Sequence, residues 1–132
     1  MSTSIHDFHD DPRNAHIKIW LNGQLKPRAE AMVSVFDSGF VLGDGVWEGF
    51  RVVAGQPVFL DAHLDRLFEG AKAIALDIGL SRAELKIAIS DTLKARGMRD
   101  DVHVRLMVTR GVKRTPYQDP RACIGSATVV MI

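Results

Sequence analysis

A chain of 132 residues, 46% hydrophobic and 25% charged, has the size and composition of one globular domain with a single core. Its formal net charge of +1 gives no electrostatic case for nucleic acid or an anionic membrane as partner. The one cysteine, Cys123, leaves no intramolecular disulfide and fits a reducing, cytoplasmic setting, and no apolar run approaches the roughly 20 residues of a membrane helix.

Residues 1–14 read as a flexible polar arm in which His6, Asp7, His9, Asp10 and Asp11 crowd together at a spacing that matches no metal motif. Folded structure, 15–132, begins with a strand at Ile17–Leu21, and Asn22-Gly23 marks a tight hairpin because both turn positions need positive φ. Met32–Phe36 reads as another short strand. A glycine-rich turn follows over Asp37–Gly45, then a β-prone run over Val46–Val53, and Ala54-Gly55-Gln56 turns into a strand at Pro57–Leu60.

Periodicity changes at Asp61, a candidate N-cap. Leu64, Leu67, Phe68, Ala71 and Ala75 form a helical stripe. A second helix carries a Ser81/Glu84 capping box, a stripe of Leu85, Ala88, Ile89 and Leu93, and Gly97 as its stop. Val102–Thr109 is a strand, Arg110–Arg121 a proline-bearing loop, and Ala127–Ile132 a last buried strand. The order predicts an α+β fold with two helices packed on a largely antiparallel sheet. An apolar strand at Ile132 with no polar tail suggests a truncated chain.

Gly43-Asp44-Gly45 leads into a strand, and its third glycine falls at Gly49, so a dinucleotide fingerprint is excluded. The wider string from Asp37 to Arg51 sets Trp47, Glu48, Phe50 and Arg51 directly after a glycine turn, which suits a ligand wall. Arg66 lies in the second turn of its helix. Composition alone pairs it with Glu69 at the surface, while an anion at the helix start would recruit its guanidinium. Arg105 and Arg110 bracket the strand and suit a carboxylate partner. His103 and Cys123 read as structural, since no nucleophile–base pair stands near them.

On Ile19–Gly23, Leu42–Arg51, His63–Leu67, Arg105 and Val108–Gly111, in that order and spacing, the chain resembles the class IV aminotransferases. That family includes branched-chain and D-amino-acid aminotransferases and aminodeoxychorismate lyases. The resemblance implies the small domain of a dimeric pyridoxal-phosphate enzyme. It also implies that Arg66 grips the cofactor phosphate, reversing the surface reading. Trp47 would lie against the substrate side chain, and Leu42 would be offered across the dimer interface. Arg105 matches the arginine of branched-chain enzymes, with His103 where they carry tyrosine, and Arg110 matches the carboxylate-binding arginine of D-amino-acid enzymes.

Family members hold the cofactor on a lysine in a second, larger domain. The lysines here are Lys18, Lys26, Lys72, Lys86, Lys94 and Lys113, and none sits in that context; Lys113 reads as a solvated loop residue. The expectation is therefore the N-terminal part of an aminotransferase of branched-chain type, inactive alone. A lyase or D-amino-acid aminotransferase is the enzymatic alternative, and a non-catalytic interaction module the alternative of another class.

Overall fold

The computed structural model describes residues 8–132, so Met1–Asp7, including the His6 and Asp7 of the polar arm, lie outside the described residues. The described remainder of that arm leads into a 3-10 turn, Pro12–His16, whose N-cap Asp11 accepts from the Arg13 amide. Arg13 in turn donates to the carbonyls of Asp100 and Asp101.

Eight strands and three helices follow: β1 Lys18–Leu21, β2 Gln24–Pro27, α1 Ser38–Leu42, β3 Gly45–Val53, β4 Gln56–Pro57, α2 Leu60–Ala73, α3 Arg82–Arg96, β5 Val102–Thr109, β6 Val112–Lys113, β7 Cys123–Ile124 and β8 Thr128–Met131. Six strands form one sheet in the order β2-β1-β8-β5-β3-β4, with every pair antiparallel, and β6-β7 make a separate ribbon. This is the expected α+β architecture. Strand alternation sends Phe50, Val52, Val104, Leu106, Val129 and Met131 to one face, where Leu64, Leu67, Leu85 and Ile89 of α2 and α3 complete the core. The other face carries no long helix and opens into a groove of about 860 Å³ walled by Ile19, Leu21, Met107 and Val130.

The helix signals hold where side chains cap the backbone. The Ser81/Glu84 box forms in both directions, and Gly97 ends α3 at φ 64°. They slip at α2. Its N-cap is Phe59, held at φ 54°, and Asp61 lies in the first turn, where its charge suits the helix dipole and its carboxylate meets Lys86 at 2.6 Å.

Three expected elements differ. Met32–Phe36 is not a strand, because Pro27 and the 3-10 turn Arg28–Glu30 carry the chain off the sheet edge, leaving Met32, Val33, Val35 and Phe36 exposed. Part of the glycine-rich stretch is helical: Asp37 accepts from the Gly39 amide and Gly43 closes α1 in the left-handed region. The strand expected through Leu60 stops at Pro57, because Phe59 already starts α2. Lys113 also differs from its solvated reading. It stands on β6 with 2% of its surface exposed.

Candidate active site

β3 is the strand on which site residues converge, and its outer edge is largely open. β4 pairs only with Val52 and Val53, and Val58 adds one bond to the Arg51 carbonyl. Antiparallel alternation turns the peptide groups of Gly49 and Trp47 the same way as that of Arg51, toward an edge with no strand partner among the described residues. Trp47 and Glu48 are sequential, so their side chains leave this edge on opposite faces.

On the core face, Glu48 takes a position that alternates with Phe50 and Val52 and is 3% exposed. A carboxylate there requires partners. Arg66 supplies a bidentate pair, Nε to Oε1 at 2.5 Å and Nη2 to Oε2 at 2.7 Å, and His63 Nδ1 approaches Oε2 at 2.8 Å. His63 and Arg66 are three residues apart on α2 and so share one helical face. The guanidinium holds Glu48 below the usual carboxylate range, against the opposing push of burial, with His63 adding to the effect. An ionised carboxylate only accepts, so in this contact His63 donates its Nδ1–H. Phe50 packs against the imidazole at 5.7 Å. The Arg66 side chain remains 71% exposed, its outer donors facing solvent. Its partner is thus Glu48 and not the Glu69 that helical spacing suggested.

On the opposite face, the Arg105 guanidinium lies over the Trp47 ring at 4.3 Å. Arg105 pairs in register with Gly49, and Arg51 with His103. Gly49 keeps this floor low: a Cβ there would come within 3.0 Å of the His103 ring. Burial, then the charges of Arg105 and Arg51, hold His103 toward its neutral form.

Arg110 is the most engaged of the expected residues. Nε and Nη2 grip the two Asp44 oxygens at 2.7 and 3.1 Å, and Nη2 and Nη1 donate to the carbonyls of Ile74 and Ala75 at 2.7 and 2.8 Å. Those four bonds leave one of the five N–H donors of a guanidinium. The pairing explains the Gly-Asp-Gly string. Gly43 turns at φ 65°, Asp44 holds Arg110, and Gly45 passes so close to β5 that a Cβ would meet the Val108 carbonyl at 2.5 Å. Leu42 ends α1, 38% exposed, near the exposed Phe40.

The structure therefore brings Arg66 together with Glu48 and His63, and Trp47 with Arg105, on the two sides of one strand. Sequence reasoning set Glu48 only among the residues of a ligand wall, without its partners, and gave no role to His63. The signal was a glutamate in phase with the apolar face of β3. Among the described residues no cluster of His, Cys, Asp and Glu is arranged to hold a metal.

Residues 45–130 match the family described as amino-transferase class IV. The chain is 48% identical over 109 residues to the branched-chain-amino-acid aminotransferase-like protein 1 of Arabidopsis thaliana, covering 83% of this chain and 20% of that protein. It is 42% identical over 116 residues to a putative branched-chain-amino-acid aminotransferase of Methanocaldococcus jannaschii, covering 88% and 39%. D-alanine aminotransferases and an aminodeoxychorismate lyase also match. Among solved structures, the branched-chain aminotransferase of Thermoproteus uzoniensis with norvaline superposes with a TM-score of 0.74 at 30% identity, over 89% of this chain and 40% of that one. The chain thus spans between a fifth and two fifths of the proteins it resembles, and within that span it belongs to the class IV aminotransferase family.

Proposed function

We propose that this chain is the small-domain portion of a pyridoxal-phosphate aminotransferase of branched-chain type, which moves an amino group between an amino acid and a 2-oxo acid. In this reading 1–14 is an arm, 15–132 is the small domain, and a larger domain carries the cofactor lysine. The enzyme is a cytoplasmic homodimer, with Leu42 presented toward the partner's site.

The observation that carries the reading is the Arg66–Glu48 pair at the open edge of β3. Glu48 occupies two Arg66 donors and fixes the guanidinium in place, while the rest of that side chain faces outward. A pre-oriented, still accessible guanidinium beside free strand amides fits a phosphate. When bound, pyridoxal phosphate supplies an aldehyde that takes up the amino group and a ring that withdraws electrons. This chain's residues bind and orient. Arg66 holds the phosphate, Trp47 and Leu42 wall the substrate side chain, and Arg105 leaves its perch on Trp47 to meet a carboxylate. Arg110, with one donor left, contributes chiefly through Asp44.

None of the chain's lysines fits the cofactor-bearing role. Lys113 is enclosed in the β6-β7 ribbon, Lys18, Lys72, Lys86 and Lys94 are exposed, and Lys26 is half-buried on β2. The 132-residue chain is therefore inactive alone. The enzymatic alternative, a D-amino-acid aminotransferase or aminodeoxychorismate lyase, draws on the same Arg110-Gly111 context.

The test uses the chain together with the larger domain that this reading assigns to it. Amino transfer from L-leucine to 2-oxoglutarate is expected. Turnover of aminodeoxychorismate or D-alanine in its place would move the assignment to the alternative. For the chain alone, incubation with pyridoxal phosphate and borohydride should leave no stoichiometric lysine adduct.

A further inference from the structure

The β6-β7 ribbon holds a pair of groups that amino transfer does not use. Lys113 and Cys123 face each other in register across its two strands. Lys113 is 98% enclosed (2% exposed), yet among the described residues it enters no salt bridge. Its Nζ donates to the Asp119 carbonyl at 3.1 Å and points at Cys123 Sγ, 3.7 Å away. The Asp119 carboxylate is turned elsewhere, onto Arg121. Burying an amine without a carboxylate partner is costly, and here it places a nitrogen against the chain's one thiol. Cys123 itself is half-buried, within reach of a small oxidant.

We propose that Lys113 and Cys123 form a peroxide-responsive covalent cross-link. In the first step the Cys123 thiolate attacks a hydroperoxide; an S–O bond forms, the O–O bond breaks, and water or an alcohol leaves, giving a sulfenic acid. This chain offers no second thiol to capture it. In the second step the unprotonated fraction of Lys113 attacks that sulfur; an S–N bond forms, the S–O bond breaks, and hydroxide departs with a proton from nitrogen as water. The sulfur loses two electrons to the peroxide, and for hydrogen peroxide the balance is thiol plus amine plus peroxide to sulfenamide plus two waters. A dithiol reductant reverses the bond. The cross-link staples β6 to β7 and closes the loop between them, two residues beyond Gly111 and three beyond Arg110.

Intact mass and peptide mapping of the full chain after brief hydrogen peroxide treatment test this directly. The expected product has lost two hydrogens, shows no free thiol, resists tryptic cleavage after Lys113, and reverts with dithiothreitol. In Lys113→Met the sulfenic acid should instead persist and be trapped by dimedone, with at least a several-fold gain in labelling over the unsubstituted chain. Irreversible oxygen addition at Cys123 with Lys113 still cleavable, an oxygen retained in the link, or equal dimedone labelling of both proteins would each overturn the proposal. The mapping of the unsubstituted chain decides the question even if Lys113→Met fails to fold.

Discussion

Two arginine–carboxylate clamps bear on α2, one midway along it and one at its C-terminal end; they look alike in outline and differ in what they leave free. Midway along the helix, Arg66 grips the buried Glu48 but stays 71% exposed. At the C-terminal end, Arg110 is 15% exposed and also closes the helix by taking the carbonyls of Ile74 and Ala75. A cation at a helix C-terminus is stabilising, an effect confined to the last turn. Arg110 is thus placed where the fold gains from it. Arg66, midway along α2, draws nothing from either helix end, and the outward part of its guanidinium is left over from the pair with Glu48.

The largest expected effect comes from breaking the saturated clamp. Arg110→Ala strands the Asp44 carboxylate and uncaps α2, so unfolding free energy should fall by about 2–4 kcal/mol. Arg110→Lys should recover little, because a single ammonium cannot reach both oxygens and two carbonyls at once. Urea denaturation with an unchanged m-value is the measurement. A loss within ~0.5 kcal/mol would mean that the clamp is ornamental and that Arg110 is free for a substrate carboxylate.

In the complete enzyme of the proposed function, Arg66→Ala should weaken pyridoxal phosphate binding by roughly 1.5–3 kcal/mol through loss of a charge-assisted contact. Arg66→Lys should restore only part of it. Unchanged cofactor affinity would remove the central support for the proposed function. Together these two substitutions sharpen the contrast: one clamp should register mainly in stability, the other mainly in ligand affinity.

The sheet, α3 and both of its caps were legible in sequence because local chemistry specified them, through period-2 alternation in β3 and β5 and the Ser81/Glu84 box. What was not legible depended on where the chain travels. Met32–Phe36 has the composition of a strand, yet the turn after Pro27 takes it past the sheet edge, and no local signal reports that. Arg66 was singled out by position and resemblance, but its partner lies 18 residues upstream across a strand–helix packing contact. Helical spacing could only nominate Glu69. Lys113 failed for a related reason: enclosure by a two-residue ribbon depends on a pairing ten residues away.

The Glu48 carboxylate predicts a pH dependence of intermediate size. Its folded-state value lies below the ordinary one, chiefly because of Arg66, so it contributes stability that is fully present above the ordinary range near pH ~4.3. That contribution is lost as pH falls through the lowered folded value. The chain should therefore melt more readily on acidification below about pH 4, and Glu48→Gln should show a shallower slope in that window. Exposed pairs such as Asp61–Lys86 also titrate there, but solvent screening makes them small and the comparison cancels them. Parallel slopes for the two proteins would place the buried charge outside the acid transition.

The smallest effect should come from the open face, where Arg105 lies over Trp47. Both side chains are exposed, so the cation–π contact is worth only about 0.5–1 kcal/mol. A double-mutant cycle of Trp47→Leu and Arg105→Ala isolates it, since each single change also alters burial of its own. A weak contact is what the proposed role requires. Arg105 must leave Trp47 to meet a substrate carboxylate, and a strong resting interaction would tax every binding event by the same amount. A measured coupling above ~2 kcal/mol would instead make the pair a structural lock on the β3-β5 surface. The substrate-binding role would then pass to the Arg51 and His103 beside it, which lie opposite each other in register.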